Sequence, residues 1–201
     1  MAEENKKNSE KKTAPPKRPP KKEEVNLYED LAGAEIFENL KSKFSDLVVD
    51  GKKIRGQNII YLKNGENLLD LFIYLRDEEK FDMLADLTAI DYPEREKRFT
   101  VLYNLYSFSK LERLLIRLDI SEGEEVETVS NIWPSANWPE REVFDMFGIK
   151  FKNHPDLRRI LLPEDWKTHP LRKDFNVKDR DQDWMEKHLG IREDVNTGEV
   201  K

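Results

Sequence analysis

The sequence predicts an α+β domain, in which an antiparallel-rich, mixed sheet of about four to five strands is backed by two helices. Two observations carry this prediction. Apolar residues recur at helical spacing in two segments of the first half of the chain, and three strand-like runs follow one another between residues 83 and 120. A short third helix and an extended, proline-rich C-terminal ribbon are expected after the sheet.

The first part of the domain is expected to alternate helices with short strands. A helix over residues 29–44 is followed by a strand at 47–50, a turn at 51–53, a strand at 58–62 and a second helix over 66–76. Both helices are predicted from apolar residues at helical spacing, which are Ile36, Phe37, Leu40 and Phe44 in the first and Leu68, Leu71, Phe72 and Leu75 in the second.

Three further strands are expected at residues 83–91, 98–107 and 111–120, with a hairpin connection at 107–110. The third strand alternates most clearly between the two faces of a sheet. Such alternation indicates one packed face and one charged or partner-facing face. The packed side is predicted to hold Leu114, Ile116, Leu118 and Ile120, and the other side Arg113, Arg117 and Asp119.

The third helix is expected to begin at Asn137 or Trp138, with Pro139 in its first turn, and to end before Gly148. Its first turn contains two glutamates, which the helix dipole favours at that end. An ion pair between residues 141 and 145 is expected from their spacing of four. The apolar face is predicted to consist of Val143, Met146 and Phe147.

After Gly148, three prolines prevent any long helix or central strand: Pro155, Pro163 and Pro170. A segment of this kind is expected to lie across another surface rather than to form its own core. The chain is therefore divided into a disordered arm at 1–24, the α+β domain at 25–125, the helix and docking ribbon at 126–176 and a polar tail at 177–201. One helical turn is expected near residues 184–189.

The overall composition limits the possible functions. The 201 residues carry a net charge of -6, which gives no general attraction to nucleic acid or anionic lipid. There is no cysteine, so thiolate ligation of iron–sulfur clusters and a cysteine nucleophile are excluded. No apolar run is long enough to span a membrane. The charged fraction of 38% fits either a thermophile's ion-pair networks or simply charged tails, and both remain open.

Candidate catalytic and metal-binding residues are concentrated in the third helix and the ribbon. His154 and His169 could form a metal site with Glu142, Asp145 or Asp156, but their spacing matches no metal motif, and structural histidines are favoured. Glutamates 140 and 142 with Asp145 could act in acid–base catalysis, but structural ion pairs are favoured. Glycine-rich phosphate loops and the hydrolase nucleophile motif do not occur.

Arginine interleaved with leucine and aromatic residues is typical of a protein–protein interface, whereas RNA binding is disfavoured by the acidic chain. The ribbon has this pattern at 156–161 and again at 171–175. The candidate interface residues are Glu140, Arg141, Glu142, Asp145, His154, Asp156, Arg158, Arg159, His169, Arg172, Lys173 and Asp174.

The same region resembles a known protein family. The run from residue 140 to 149, with Phe151 and residues 154–161, is similar to the signature of the 30-kDa subunit of respiratory complex I, the proton-pumping NADH:quinone oxidoreductase. The resemblance covers roughly residues 28–176. Further matching segments are Asp86-Leu87-Thr88, Asp91-Tyr92-Pro93, the strand around Arg98 to Ser107, Trp133-Pro134, Ala136-Asn137-Trp138, Leu162-Pro163-Glu164-Asp165-Trp166 and His169 to Phe175. Pro139 departs from the pattern, and the N-terminal arm lies outside it.

The resemblance implies a non-catalytic structural subunit that binds no cofactor. FMN and iron–sulfur clusters are then expected in partner subunits, and the quinone-site subunit is the expected neighbour. The chain is expected on the cytoplasmic side of the cell membrane, attached through the complex. The equivalent subunit of a membrane-bound hydrogenase, or of an F420-linked or ferredoxin-linked quinone oxidoreductase, remains an alternative. An alternative of another class is a stand-alone acid–base enzyme that uses Glu142, Asp145 and His154.

Overall fold

A six-stranded sheet with helices on one face forms the centre of the computed structural model, which describes residues 28–176 and 181–190. The strands are β1 (Tyr28–Asp30), β2 (Val48–Ile54), β3 (Gln57–Leu62), β4 (Met83–Asp91), β5 (Phe99–Ser107) and β6 (Glu112–Ile120). The helices are α1 (Glu35–Lys43), α2 (Leu68–Asp77), α3 (Asn137–Phe147) and α4 (Gln182–Leu189). The predicted α+β class is confirmed.

The strand order in the sheet is β1-β2-β3-β6-β5-β4. All neighbours are antiparallel except β3 and β6, which pair in parallel through register partners such as Ile60 and Ile116. The chain therefore crosses over through α2, β4 and β5 before β6 completes the centre of the sheet. The inward side chains of β5 and β6 alternate with outward ones and form the core with α1 and α2.

Two predictions for the first part of the chain were wrong. Residues 28–30 form the edge strand β1, and the first helix begins only at Glu35, so the sheet has six strands rather than four or five. β2 also continues through residues 51–53 to Ile54, and the turn lies at Arg55 and Gly56, which both have positive φ. Gly51 is required within the strand because an added Cβ would lie 2.5 Å from the Phe37 ring.

The third helix, α3, packs beside β4 at the edge of the sheet. A short 3₁₀ turn at Pro134–Ala136 precedes it. Two short strands that flank α3 in sequence, β7 (Val126–Glu127) and β8 (Phe151–Lys152), pair in parallel as a separate two-stranded sheet. From residue 153 to 176 the chain has turns and bends but neither helix nor strand, and we refer to residues 149–176 as the C-terminal segment.

The remaining predictions fall partly outside the described residues. The predicted arm at 1–24 lies outside them, as does most of the predicted tail at 177–201. Where one helical turn was expected near 184–189, the structure has the eight-residue helix α4. Within the described ranges, no helix combines the length and the apolar character that crossing a bilayer requires.

Candidate docking surface

The helix α3 ends as its sequence predicts. Gly148 has a φ of +78°, the left-handed conformation of a helix C-terminal glycine. Glycine is required here for a second reason, because an added Cβ would lie 2.6 Å from the Arg172 guanidinium and 2.7 Å from the His169 ring. The predicted apolar face of Val143, Met146 and Phe147 is buried in the core. The end of α3 is therefore tightly packed against the C-terminal segment.

Asp145 organises the first half of the C-terminal segment. One carboxylate oxygen lies 2.5 Å from the Arg159 guanidinium, and the other accepts the backbone N–H groups of Ile160, Leu161 and Leu162 at 3.1, 2.8 and 2.9 Å. Burial alone would raise the pKa of Asp145, but these hydrogen bonds, led by the one from Leu162, lower it. A fully buried carboxylate thus fixes the backbone path of residues 159–162.

The expected ion pair between Arg141 and Asp145 is wrong. Asp145 points into the protein, where it accepts hydrogen bonds from Arg159 and three backbone N–H groups. Arg141 contacts the backbone of the C-terminal segment instead. Its guanidinium donates to the carbonyl oxygens of Arg158 and Arg159 at 3.1 and 2.9 Å. A spacing of four residues favours a pair only where neither side chain has a better partner, and both have one here.

The last carbonyl groups of α3 are capped by the second half of the C-terminal segment. His169 Nδ1 donates to the carbonyl of Asp145 at 2.9 Å, the N–H of Leu171 donates to Met146, and Arg172 Nε donates to Phe147 at 2.6 Å. These carbonyls have no partner within the helix, so side chains and backbone from residues 169–172 satisfy them. Because a carbonyl only accepts, His169 carries its proton on Nδ1, and burial lowers the pKa of its ring.

A second buried carboxylate, Asp91 at the end of β4, holds residues 173 and 174. Arg98 donates to both of its oxygens at 2.8 and 2.9 Å, and the N–H of Lys173 donates at 2.7 Å. The Arg98 hydrogen bonds lower the pKa of Asp91 against the effect of burial. Arg98 also pairs with Asp174 and Glu122, at 2.9 and 3.0 Å. The segment is thereby attached to the sheet as well as to α3.

Glu140, on the first turn of α3, is completely buried rather than exposed in an ion pair. It accepts the hydroxyl of Thr128 and the N–H of Val129, and its carboxylate lies 3.7 Å from His154 Nε2. Burial raises the pKa of Glu140 to about 7 in spite of these hydrogen bonds. His154 Nδ1 accepts the N–H of Asp156, so its proton lies on Nε2, which faces the carbonyl of Asn137.

The acid–base hypothesis required Glu142, Asp145 and His154 in one open pocket. Asp145 and His154 have their polar atoms engaged inside the protein, whereas Glu142 is exposed on the outer side of α3. The metal hypothesis also lacks support: residues 28–176 and 181–190 contain no group of three acidic or histidine side chains suited to hold an ion. The arrangement around α3 holds the C-terminal segment in place.

What remains exposed is an apolar surface that the sequence alone did not predict. Trp138 is 70% exposed and Leu161 63% exposed, and both line an open groove of about 690 Å³ at the start of α3. Pro134, Pro139 and Ile160 complete its apolar walls. Isolated exposed hydrophobic residues are normal, but apolar side chains gathered around one groove make this face a candidate docking surface. The groove forms because residues 160 and 161 lie beside the start of α3, which spacing along the chain does not reveal.

The candidate interface residues separate into two groups. Those with buried or half-buried side chains that bond within the protein are Glu140, Arg141, Asp145, His154, Arg159, His169 and Arg172. Those with exposed side chains are Glu142, Asp156, Arg158, Lys173 and Asp174. Sequence reasoning missed Asp91, Arg98 and Thr128 as partners of this region, because they come from other strands and loops.

Comparisons with known proteins agree on one family. The family model described as respiratory-chain NADH dehydrogenase, 30 Kd subunit, matches residues 63–181. A protein of Geotalea uraniireducens, named as the C subunit of NADH-quinone oxidoreductase, is 41% identical over 145 residues, which cover 72% of this chain and 88% of that relative. Proteins of the same name from Geobacter metallireducens and a Roseiflexus species are 44% and 42% identical, over 69% and 72% of this chain and 86% and 84% of each relative.

Proposed function

The chain belongs to the family of the 30-kDa subunit of respiratory-chain NADH dehydrogenase, and from that premise we propose that it is a structural subunit of the peripheral arm of a proton-pumping NADH:quinone oxidoreductase. The family expected from the sequence is confirmed. The complex we propose passes electrons from NADH through FMN and iron–sulfur clusters in partner subunits to quinone. This chain carries no cofactor and no reacting group. It attaches to the membrane on the cytoplasmic side, through the complex.

One observation supports the structural role. Buried carboxylates fix the C-terminal segment: Asp145, a candidate catalytic residue by sequence, takes four hydrogen-bond donors, and Asp91 takes three. The segment is thereby held as a preformed surface next to the Trp138 groove. Preformed surfaces bind with little ordering cost, which suits a protein whose contribution is to position its neighbours.

We propose the quinone-site subunit as the direct neighbour. The test is purification of the tagged chain from membranes solubilised in a gentle detergent, followed by identification of the co-purifying proteins and measurement of NADH:quinone reductase activity. The quinone-site subunit in equal amount supports the proposal. Recovery of the chain alone, from membranes that contain the quinone-site subunit, contradicts it.

The isolated chain gives an independent test of the absence of chemistry. Purified alone, it is expected to contain less than one tenth of an equivalent of flavin or iron and to lack NADH oxidation. A stoichiometric flavin or iron–sulfur cluster would overturn the structural role. If the purified complex oxidises reduced ferredoxin or F420H2 in place of NADH, the chain is instead the equivalent subunit of a related quinone reductase.

A further inference from the structure

The groove beside Trp138 is apolar and open. Its apolar lining comes from Trp138 and Pro139 in the first turn of α3, from Ile160 and Leu161 of the C-terminal segment, and from Pro134. Its volume of about 690 Å³ lies within the range of clefts that bind ligand groups. Tryptophan is among the residue types most enriched where binding energy concentrates at interfaces. An exposed tryptophan in such a groove therefore indicates a binding site.

Both walls of the groove are held in place before any partner arrives. The N–H groups of Ile160 and Leu161 are bonded to the buried carboxylate of Asp145, and Pro134 and Pro139 restrict the backbone of the opposite wall. A wall fixed in this way loses little conformational freedom on binding. The groove can therefore receive a side chain of matching size without rearrangement.

A single charge faces the groove. Glu142 is the one charged side chain among the eight residues that line it, and no ion pair or hydrogen bond of its carboxylate occurs within residues 28–176 and 181–190. A partner seated over the groove would take Glu142 out of water. An unpaired buried carboxylate is costly, so a stable complex requires a cation on the partner beside the apolar group.

A second copy of the chain docked groove to groove does not satisfy these requirements. In a symmetric dimer whose two-fold axis passes through the groove, a concave groove would face a concave groove and Glu142 would lie close to the Glu142 of the second copy. Neither the volume nor the charge would be complemented. The occupant must be convex, apolar and basic.

We propose that the Trp138–Leu161 groove seats a segment of the neighbouring subunit that presents one large apolar side chain with an arginine or lysine next to it. The apolar side chain fills the groove between Trp138 and Leu161, and the basic group pairs with Glu142. This inference rests on the proposed function and specifies the chemistry of the docked partner.

The occupant can be identified by photo-crosslinking in the assembled complex. Benzoylphenylalanine in place of Trp138 or Leu161 is expected to crosslink to one peptide of one neighbouring protein, with an arginine or lysine within about four residues of the crosslinked position. Benzoylphenylalanine in place of Leu111, which is 75% exposed on the hairpin between β5 and β6, is the control. A crosslink to this chain itself, to a second copy, or to a peptide without a basic residue overturns the proposal.

Substitutions test the apolar and charged parts separately. Trp138→Ala and Glu142→Lys are each expected to lower the recovery of assembled complex at least fivefold, and Glu142→Gln less. Leu111→Ala and Glu94→Lys, at exposed positions elsewhere, are expected to stay within twofold of the unmodified chain. Replacing the basic residue next to the crosslinked position by an acidic one is expected to restore assembly with Glu142→Lys.

The results separate this inference from the proposed function. If the unmodified chain co-purifies with the quinone-site subunit while Trp138→Ala and Glu142→Lys assemble normally, the groove proposal fails and the structural role stands. If the unmodified chain does not associate with the complex, the proposed function itself fails. Thermal unfolding of each variant checks the fold, and a variant that unfolds early is replaced by the smaller change Trp138→Phe or Leu161→Val.

Discussion

Two buried carboxylates, Asp145 and Glu140, lie five residues apart on α3, and their pKa values are shifted in opposite directions. Asp145 has a guanidinium and three N–H donors and is held ionised, with a lowered pKa. Glu140 has two donors and no guanidinium, and its pKa is raised to about 7. Burial raises the pKa of a carboxylate and hydrogen-bond donors lower it, so the number and charge of the donors decide the direction of the net shift.

Asp145→Asn is expected to destabilise the fold by roughly 3 kcal/mol, because it leaves the Arg159 guanidinium without its buried partner. Chemical denaturation at neutral pH measures the change. The matched control is Asp156→Asn, since Asp156 pairs with Arg158 at 2.9 Å on the surface, where more than half of each side chain is exposed. We expect that control to cost less than about 1 kcal/mol. Equal losses in the two variants would contradict the assigned role of Asp145.

Glu140 is expected to make stability depend on pH. Its folded pKa of about 7 exceeds its ordinary value of 4.5, so between these values the folded protein binds more protons than the unfolded chain. The free energy of unfolding therefore falls as pH rises through this window, by up to roughly 3 kcal/mol.

The variant Glu140→Gln keeps the shape but cannot ionise, so its stability relative to the unmodified protein should increase between about pH 4.5 and 7. Denaturation curves recorded across this range test the prediction, with Glu142→Gln, exposed on the same helix, as the control. Parallel pH profiles for the unmodified protein and Glu140→Gln would show that Glu140 titrates normally.

At the scale of elements, α3 is completed by a part of the chain more than twenty residues away. Its last three carbonyl groups are satisfied by His169, Leu171 and Arg172, and Gly148 lies directly beneath two of these side chains. The helix and the C-terminal segment thus form one unit. Displacing the segment would leave the end of α3 without hydrogen-bond partners.

Gly148→Ala tests this close approach. The matched control is Gly123→Ala, because Gly123 also has a positive φ (+84°) but no neighbouring atom within 4 Å of the added methyl group. Both variants carry the cost of a left-handed alanine, about 1 kcal/mol. Gly148→Ala is expected to lose at least about 1 kcal/mol more, because the methyl group displaces His169 and Arg172. The same loss of thermal stability in both would exclude a tight contact at Gly148.

At the scale of the whole molecule, the C-terminal segment joins the edge helix to the sheet. Its first half is bound by α3 through Asp145, and its second half reaches Asp91 and Arg98 at the ends of β4 and β5. The exposed groove lies on the surface that results. Its shape therefore depends on the first half of the segment, which Asp145 holds beside the start of α3.

Arg98→Ala is expected to release residues 173–174 from the sheet, because Asp91 loses both guanidinium bonds and Asp174 loses its partner. Hydrogen exchange should then accelerate at residues 169–175 while the centre of β5 stays protected. Arg76→Ala is the control, since Arg76 pairs with Asp77 at 2.7 Å on α2 and is bonded to neither Asp91 nor residues 169–175. Unchanged exchange at 169–175, or equal acceleration throughout the sheet, would argue against this attachment.

Most of the elements, and the family, follow from the sequence without a structure. The strands at 83–91 and 111–120 and the helix ending at Gly148 were predictable because periodicity and a C-terminal glycine are local signals. β1 was missed because a three-residue edge strand has no period of its own and forms only by pairing with β2. Local pattern does not contain that information.

What the charged residues of the C-terminal segment do is a property of the folded chain. Spacing along α3 suggested that its charges neutralise one another, but Asp145 pairs with Arg159 and Glu140 is buried against Thr128. The physical reason is that a carboxylate's partner and pKa depend on burial and on donors brought together from distant parts of the chain. For the same reason the exposed groove of Trp138 and Leu161 exists only once the chain has folded.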